Sequence, residues 1–282
     1  MAQGMQFLVL GWLVLDITGS AYQLGLVIFV FGLPNLIFAM LGGIIADRAD
    51  RLKLLISTRV YVALLIFTLA VLRITNVLEV WHVYTIVFIL GTIQGLNGPA
   101  RMAIVPDLVE RNDMMNAVAL HSMVNQTGNI IGPAVAGGII EWVGLGTTLL
   151  VNAGLYLSGL VFLVLIKGLP TRSRTGGATV LEDFYAGLRC IQSTPILYTV
   201  IGMTVAFAFF AVSYRLVMPA FTKEVLDLGA GGTGLLLLSA GVGSLIGSLI
   251  LASLGDIRYK ARLLMASVVL FSVFLSVFAW SP

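Results

Sequence analysis

Charge is what this sequence is shortest of: Asp, Glu, Lys and Arg make up 10% of its 282 residues, against 59% apolar residues. Soluble domains carry about a quarter charged residues, so this chain cannot dress a water-facing surface. Cysteine is nearly missing too. Cys190 stands alone, which excludes an internal disulfide. The net charge of +3 is scattered among loops rather than gathered in a patch, so nucleic acid is not an expected partner. No Gly-x-x-x-x-Gly-Lys-Ser/Thr loop occurs, and ATP is not expected either. Neither a metal-ligand cluster nor a nucleophile beside a base can be read, so the expectation is no cofactor, no metal and no enzyme activity.

What fills the chain instead is a series of apolar runs of about 20 residues, the length that crosses a bilayer. They lie near 24–46, 54–73, 79–98, 116–140, 147–166, 196–218, 233–254 and 262–280, and residues 2–15 add a ninth. That first run is too short to cross on its own. It is not a signal-peptide core, because no Lys or Arg precedes it and no clean small-x-small site follows. The lipid bilayer is therefore the first expected partner of an all-α, multi-pass chain.

Loop charge sets the orientation. Arg48, Arg51, Lys53, Arg101, Arg111, Lys167, Arg172, Arg174, Arg189, Arg258, Lys260 and Arg262 fall on one side, and only Arg73 and Lys223 on the other. Basic loops stay in the cytoplasm, so the N-terminus is expected there, in a cell membrane. The longest polar stretch, Lys167 to Thr194, separates an N-terminal bundle (1–166) from the start of a second (196–282). Within this linker, 167–195, Thr179 and Glu182 have capping-box spacing, and Leu181, Phe184, Leu188 and Ile191 share a helical face. A short helix on the membrane surface is expected, serving as a tether or a latch.

The chain also repeats itself. The stretch from Gly25 aligns without a gap on the stretch from Gly234: Gly32 meets Gly241, Asp47 meets Asp256, Arg51 meets Lys260 and Lys53 meets Arg262. Both copies run from outside to inside, which is a parallel repeat of the kind transporters use. By the same offset, much of the first span is expected upstream of Met1, and three more spans after Pro282.

These residues resemble the major facilitator superfamily, and within it the drug and siderophore exporters of the macrolide-efflux and enterobactin-exporter type. The loop from Gly43 through Asp47, Arg48, Asp50 and Arg51 to Lys53 is similar to the superfamily's loop signature, with Asp50 in place of a glycine. Trp12 to Ser20, Pro99-Ala100-Arg101 and Met218-Pro219-Ala220-Phe221 are similar as well. Gly128, Gly132, Pro133 and Gly137 resemble the exporter signature in part, since Ala119 and Ala136 replace two of its glycines. The arginine that many members carry in span four falls on Gly91. The resemblance implies the major facilitator fold, here spans one (partial) to nine of twelve in two pseudo-repeated bundles. It also implies a gate at Gly43, Asp47, Arg48, Asp50, Arg51 and Lys53, echoed at Asp256 and Lys260.

Few polar residues enter the spans. In the fifth, His121, Asn125, Gly128, Asn129, Gly132 and Ala136 project to one face, while Met123, Ile130, Ile131 and Val135 lie opposite. That face is expected to look inward, either for close helix packing or for contact with a substrate. An imidazole is the side chain that ordinarily titrates near neutrality, so His121 could carry a proton or simply pack. Asp16, Glu79 and Glu141 sit at outer ends, where interfacial solvation accounts for them, and Asp16 is also a proton-carrier candidate. Arg215 either snorkels outward or holds an anion, Arg59 snorkels inward, and Gln94 and Asn97 line the path or bond neighbouring helices. The expected function is secondary active export of small amphipathic molecules by alternating access, with H+ as coupling ion. An importer of the same fold and a non-transporting truncated membrane protein or assembly partner are the alternatives.

Overall fold

The computed structural model describes residues 1–48, 50–110, 113–165, 213–253 and 260–280, together with residues 189, 193, 198 and 202. The expected linker at 167–195 and most of the seventh span, 196–218, fall outside the described residues. Every regular element among the described residues is an α-helix: α1 (Ala2–Thr18), α2 (Ala21–Arg48), α3 (Arg51–Ile74), α4 (Val80–Leu108), α5 (Met114–Leu165), α6 (Tyr214–Glu224), α7 (Ala230–Ser253) and α8 (Lys260–Ala279). Five of them are long and apolar enough to cross a membrane. This is an all-α, multi-pass membrane protein.

Short polar punctuation sets the helix ends. Gly19 closes α1 in the left-handed region at φ 60, with its N–H on the Leu15 carbonyl. Asp50 opens α3 by accepting from the Leu52 and Lys53 amides. Glu79 and His82 form a reciprocal cap at the start of α4. The 52 residues of α5 would rise about 78 Å as one rod, more than twice the bilayer core. Gly144, at φ 81 and ψ 169, breaks it where the two expected spans meet.

Two boundaries differ from those expected. The fourth span was expected to stop at 98, but α4 continues through Pro99 and Arg101 to Leu108. Hydropathy marks where a helix leaves lipid, not where its hydrogen bonding ends. Likewise Met218-Pro219-Ala220-Phe221, expected after the seventh span, lies within α6, and Met218, Pro219 and Ala220 are buried there.

Successive helices run in alternate directions. One end of the bundle gathers the starts of α1, α3 and α5 with the ends of α2 and α4, where the basic loops lie; it is called the basic end below. The far end gathers the α1–α2, α3–α4 and α6–α7 turns with Gly144. Small residues let the helices close on one another. Gly128 and Gly132 of α5 meet the backbone around Met1, Gly4 and Met5, while Gly137 meets Ala230 of α7. A side chain at Gly91 would run into the Phe31 carbonyl of α2. The arginine expected at this position from the family resemblance has no room here, because α2 and α4 touch backbone to backbone.

The fifth span largely keeps its expected faces: Gly128, Gly132 and Ala136 are buried, and Met123, Ile131 and Val135 are exposed. The departures are Asn129, which is exposed, and Ile130, expected on the opposite face, which is 2% exposed and packs under Gly241 of α7. The first half of α5 is held between α1 and α7. Outside the seams, large apolar side chains such as Phe29, Leu36, Phe162 and Phe274 are exposed, as a lipid-facing surface requires.

Candidate functional site

A polar layer lies near the basic end, inside otherwise apolar helices. Arg59 is eight residues into α3, Arg101 seven residues before the end of α4, and Asn125 eleven residues into α5. At 1.5 Å per residue these positions are about 10–17 Å from their helix ends, a common depth. Arg101 donates from Nη2 to Asn125 Oδ1 at 2.9 Å and from Nη1 to Gln3 Oε1 of α1 at 3.3 Å. Asn125 is thereby oriented with its amide nitrogen toward His121, where Nδ2 donates to Nε2 at 2.8 Å. Opposite, the Tyr156 hydroxyl reaches Gln6 Oε1 at 2.5 Å, and Asn152 Nδ2 donates to the Ala2 carbonyl at 2.9 Å. Asn152 is fully buried, and its Oδ1 has no partner among the described residues.

Two cations belong to this layer. Arg59 and Arg101 lie within electrostatic reach of each other and of Tyr156. The Arg59 guanidinium lies against Gly159 of α5, where an added Cβ would stand 2.6 Å from its Nη1. The two ion pairs among the described residues are elsewhere: Lys53–Asp50 at 3.5 Å and Arg73–Asp16 at 2.5 Å.

The expected gate loop is described in part. Asp50 caps α3, so the residue that departs from the loop signature is a local helix start. Arg51 donates from Nη1 to the Ala103 carbonyl at 2.8 Å, fastening the start of α3 to the end of α4. Lys53 is 84% exposed, and open space surrounds Gly43. The side chains of Asp47, Arg48, Asp256 and Lys260 fall outside the described residues.

The far end is bonded differently. The Trp12 indole donates to Thr233 Oγ1 at 3.2 Å, Thr233 and Thr222 hydroxyls meet at 2.6 Å, and Lys223 Nζ donates to the Leu15 carbonyl at 2.8 Å. Thr222 and Thr233 are fully buried. Glu141 accepts from the Gly231 amide at 2.8 Å at the start of α7. Glu79 and Glu141, expected to be solvated at outer ends, are exposed and also cap helices, and Asp16, expected as a solvated residue or a proton carrier, pairs with Arg73.

Of the path candidates, His121 and Asn125 are joined, while Asn129 is exposed and Gln94 half-buried. Asn97 Oδ1 is buried without a partner among the described residues, and Arg215 is half-buried near the start of α6. Sequence reasoning placed Arg101 in a loop and passed over Gln3, Gln6, Asn152 and Tyr156. The available signal was polar spacing of three or four within apolar helices, at Gln3–Gln6 and Asn152–Tyr156.

A family model described as a transmembrane secretion effector matches residues 2–282. The staphyloferrin A transporter of Staphylococcus aureus (strain NCTC 8325 / PS 47) is 26% identical over 251 residues, 86% of this chain and 61% of that protein. Macrolide efflux protein A of Streptococcus pyogenes is 22% identical over 267 residues, 94% of this chain and 66% of that protein. The enterobactin exporter of Shigella boydii serotype 18 is 25% identical over 246 residues, 87% and 58% respectively. The chain therefore spans 58% to 66% of the length of these relatives.

Proposed function

This chain belongs to the transmembrane secretion effector family of major facilitator transporters, and on that premise we propose that it serves secondary active export of small amphipathic molecules. The observation that carries the reading is the Gln3–Arg101–Asn125–His121 chain inside an apolar bundle. Intramembrane polar groups are costly, and their default use is to serve a substrate or ion route. Beside it, α5 packs on α7 through Gly137, Gly234 and Gly241, a small-residue seam along which one bundle can rock against the other. The gate loop from Gly43 to Lys53, with Asp256 and Lys260, closes the cytoplasmic side in this reading. The other transport-path residues are Asp16, Gln94, Asn97, Asn129 and Arg215, and H+ is the coupling ion.

Expression of the complete reading frame in a pump-deficient bacterium should lower accumulation of a macrolide, a dye or a catecholate, and a protonophore should abolish the effect. Unchanged accumulation across such a panel sinks the export reading. Uptake assayed in inverted vesicles fixes the direction, and flux of the reverse sense identifies an importer.

A further inference from the structure

Among the described residues, Arg59 and Arg101 are cations within the spans that no carboxylate answers. The acidic side chains described are at helix caps, at the far end or in the α4–α5 connection, and the Arg73 and Lys53 charges are each met by one. A guanidinium carries five N–H donors in a planar fork. Arg101 places two hydrogen bonds, on neutral amides, and Arg59 has no protein acceptor among the described residues.

Two like charges within electrostatic reach of one another in an apolar bundle are unfavourable unless something compensates them. Both heads meet neighbouring helices, one at Asn125 and Gln3, the other at Gly159. Water and neutral amides solvate them without cancelling the charge. What fits two forks with spare donors is an oxyanion, bound by charge-assisted hydrogen bonds. The place is reachable, since both arginines are only half-buried and Gln3, at the start of α1, is exposed.

We propose that Arg59 and Arg101 form a seat for the anionic group of the transported molecule, which makes the cargo class amphipathic organic acids. The Tyr156 hydroxyl and the Asn125 amide flank the seat and set its width. This rests on the transporter reading above, and a phospholipid headgroup offers the same chemistry from another source.

The test uses the complete chain in phosphatidylcholine nanodiscs and two xanthene dyes, the anion carboxyfluorescein and the cation rhodamine 6G, read by fluorescence anisotropy. The ratio of carboxyfluorescein to rhodamine affinity should fall about tenfold in Arg59→Gln and again in Arg101→Gln, the scale of one lost charge-assisted hydrogen bond. Arg59→Lys and Arg101→Lys should restore most of it, which a merely misfolded variant does not do. An unchanged ratio in the double Gln variant overturns the proposal, as does absence of carboxyfluorescein binding by the unmutated protein. Native mass spectrometry separates the sources: phosphatidylglycerol retained by the unmutated protein, lost in the Gln variants and not displaced by the dye overturns the cargo assignment. Export of the two dyes by cells is scored separately. An arginine-dependent ratio without export leaves the seat standing and sinks the transporter reading, while rhodamine export with an unchanged ratio does the reverse.

Discussion

The two ends of the bundle satisfy their polar groups in opposite ways. At the far end the protein answers itself: Asp16 meets Arg73, Glu141 meets the Gly231 amide, Lys223 meets the Leu15 carbonyl, and Trp12, Thr233 and Thr222 form a closed buried relay. At the basic end, Arg101 and Arg59 are held by amides and by a glycine slot, with no carboxylate among the described residues. A region that is internally complete contributes stability. A region left short of acceptors holds capacity for something that arrives from outside, and changes there should register in binding before they register in folding.

The largest expected effect therefore belongs to the far end. Thr233→Val keeps the shape and removes the hydroxyl that the Trp12 indole and Thr222 both meet. A buried N–H left without an acceptor costs about 2 kcal/mol, so thermal unfolding in detergent should shift down clearly. Adding Trp12→Phe should recover part of the loss, since removing both partners costs less than orphaning one. If the single variant unfolds with the unmutated protein, the relay is not a stability element and the contrast between the ends fails.

A middle effect is expected at Asp50, which stands at the basic end but is satisfied locally. Asp50→Ala removes the acceptor for the Leu52 and Lys53 amides and should cost about 1 kcal/mol. Asp50→Gly should cost only a few tenths, because glycine is itself a tolerated cap residue. That ordering, measured by the same unfolding assay, would explain how the loop signature's glycine and this chain's aspartate can both open α3. Equal losses for the two variants would show that the Asp50–Lys53 pair, rather than the cap, carries the effect.

How much of this could be read from the sequence varies with the range of the interaction. The spans were legible because hydropathy and loop charge are local properties, and eight of the nine expected runs coincide with described helical stretches. The break at Gly144 followed from length alone. The polar layer was hidden for two reasons. Reading the fourth span as ending at 98 put Arg101 in a connection, although the helix continues for nine residues beyond Pro99. Its partners are also remote in sequence, with Gln3 and Arg101 separated by 98 positions and Gln6 and Tyr156 by 150. The burial of Ile130 was hidden likewise, because nothing local announces that a helix has α1 on one side and α7 on the other.

The smallest expected change in stability is at Arg59, and it separates the ends most sharply. Replacing a half-buried arginine inside a bundle by glutamine ordinarily removes hydrogen bonds and packing, and a loss of about 1 kcal/mol would be the ordinary expectation. Here no protein acceptor is lost, and the repulsion from Arg101 is relieved. The shorter Gln side chain gives up the packing at Gly159. These terms offset one another, so Arg59→Gln should unfold within about 0.5 kcal/mol of the unmutated protein, the range of a substitution away from any satisfied network. Salt gives a second reading of the same balance. Screening weakens the repulsion between the two guanidiniums, so added salt should stabilise the unmutated protein relative to Arg59→Gln. A loss above 1 kcal/mol would mean that Arg59 is already answered by the protein, and the basic end would then be as complete as the far one.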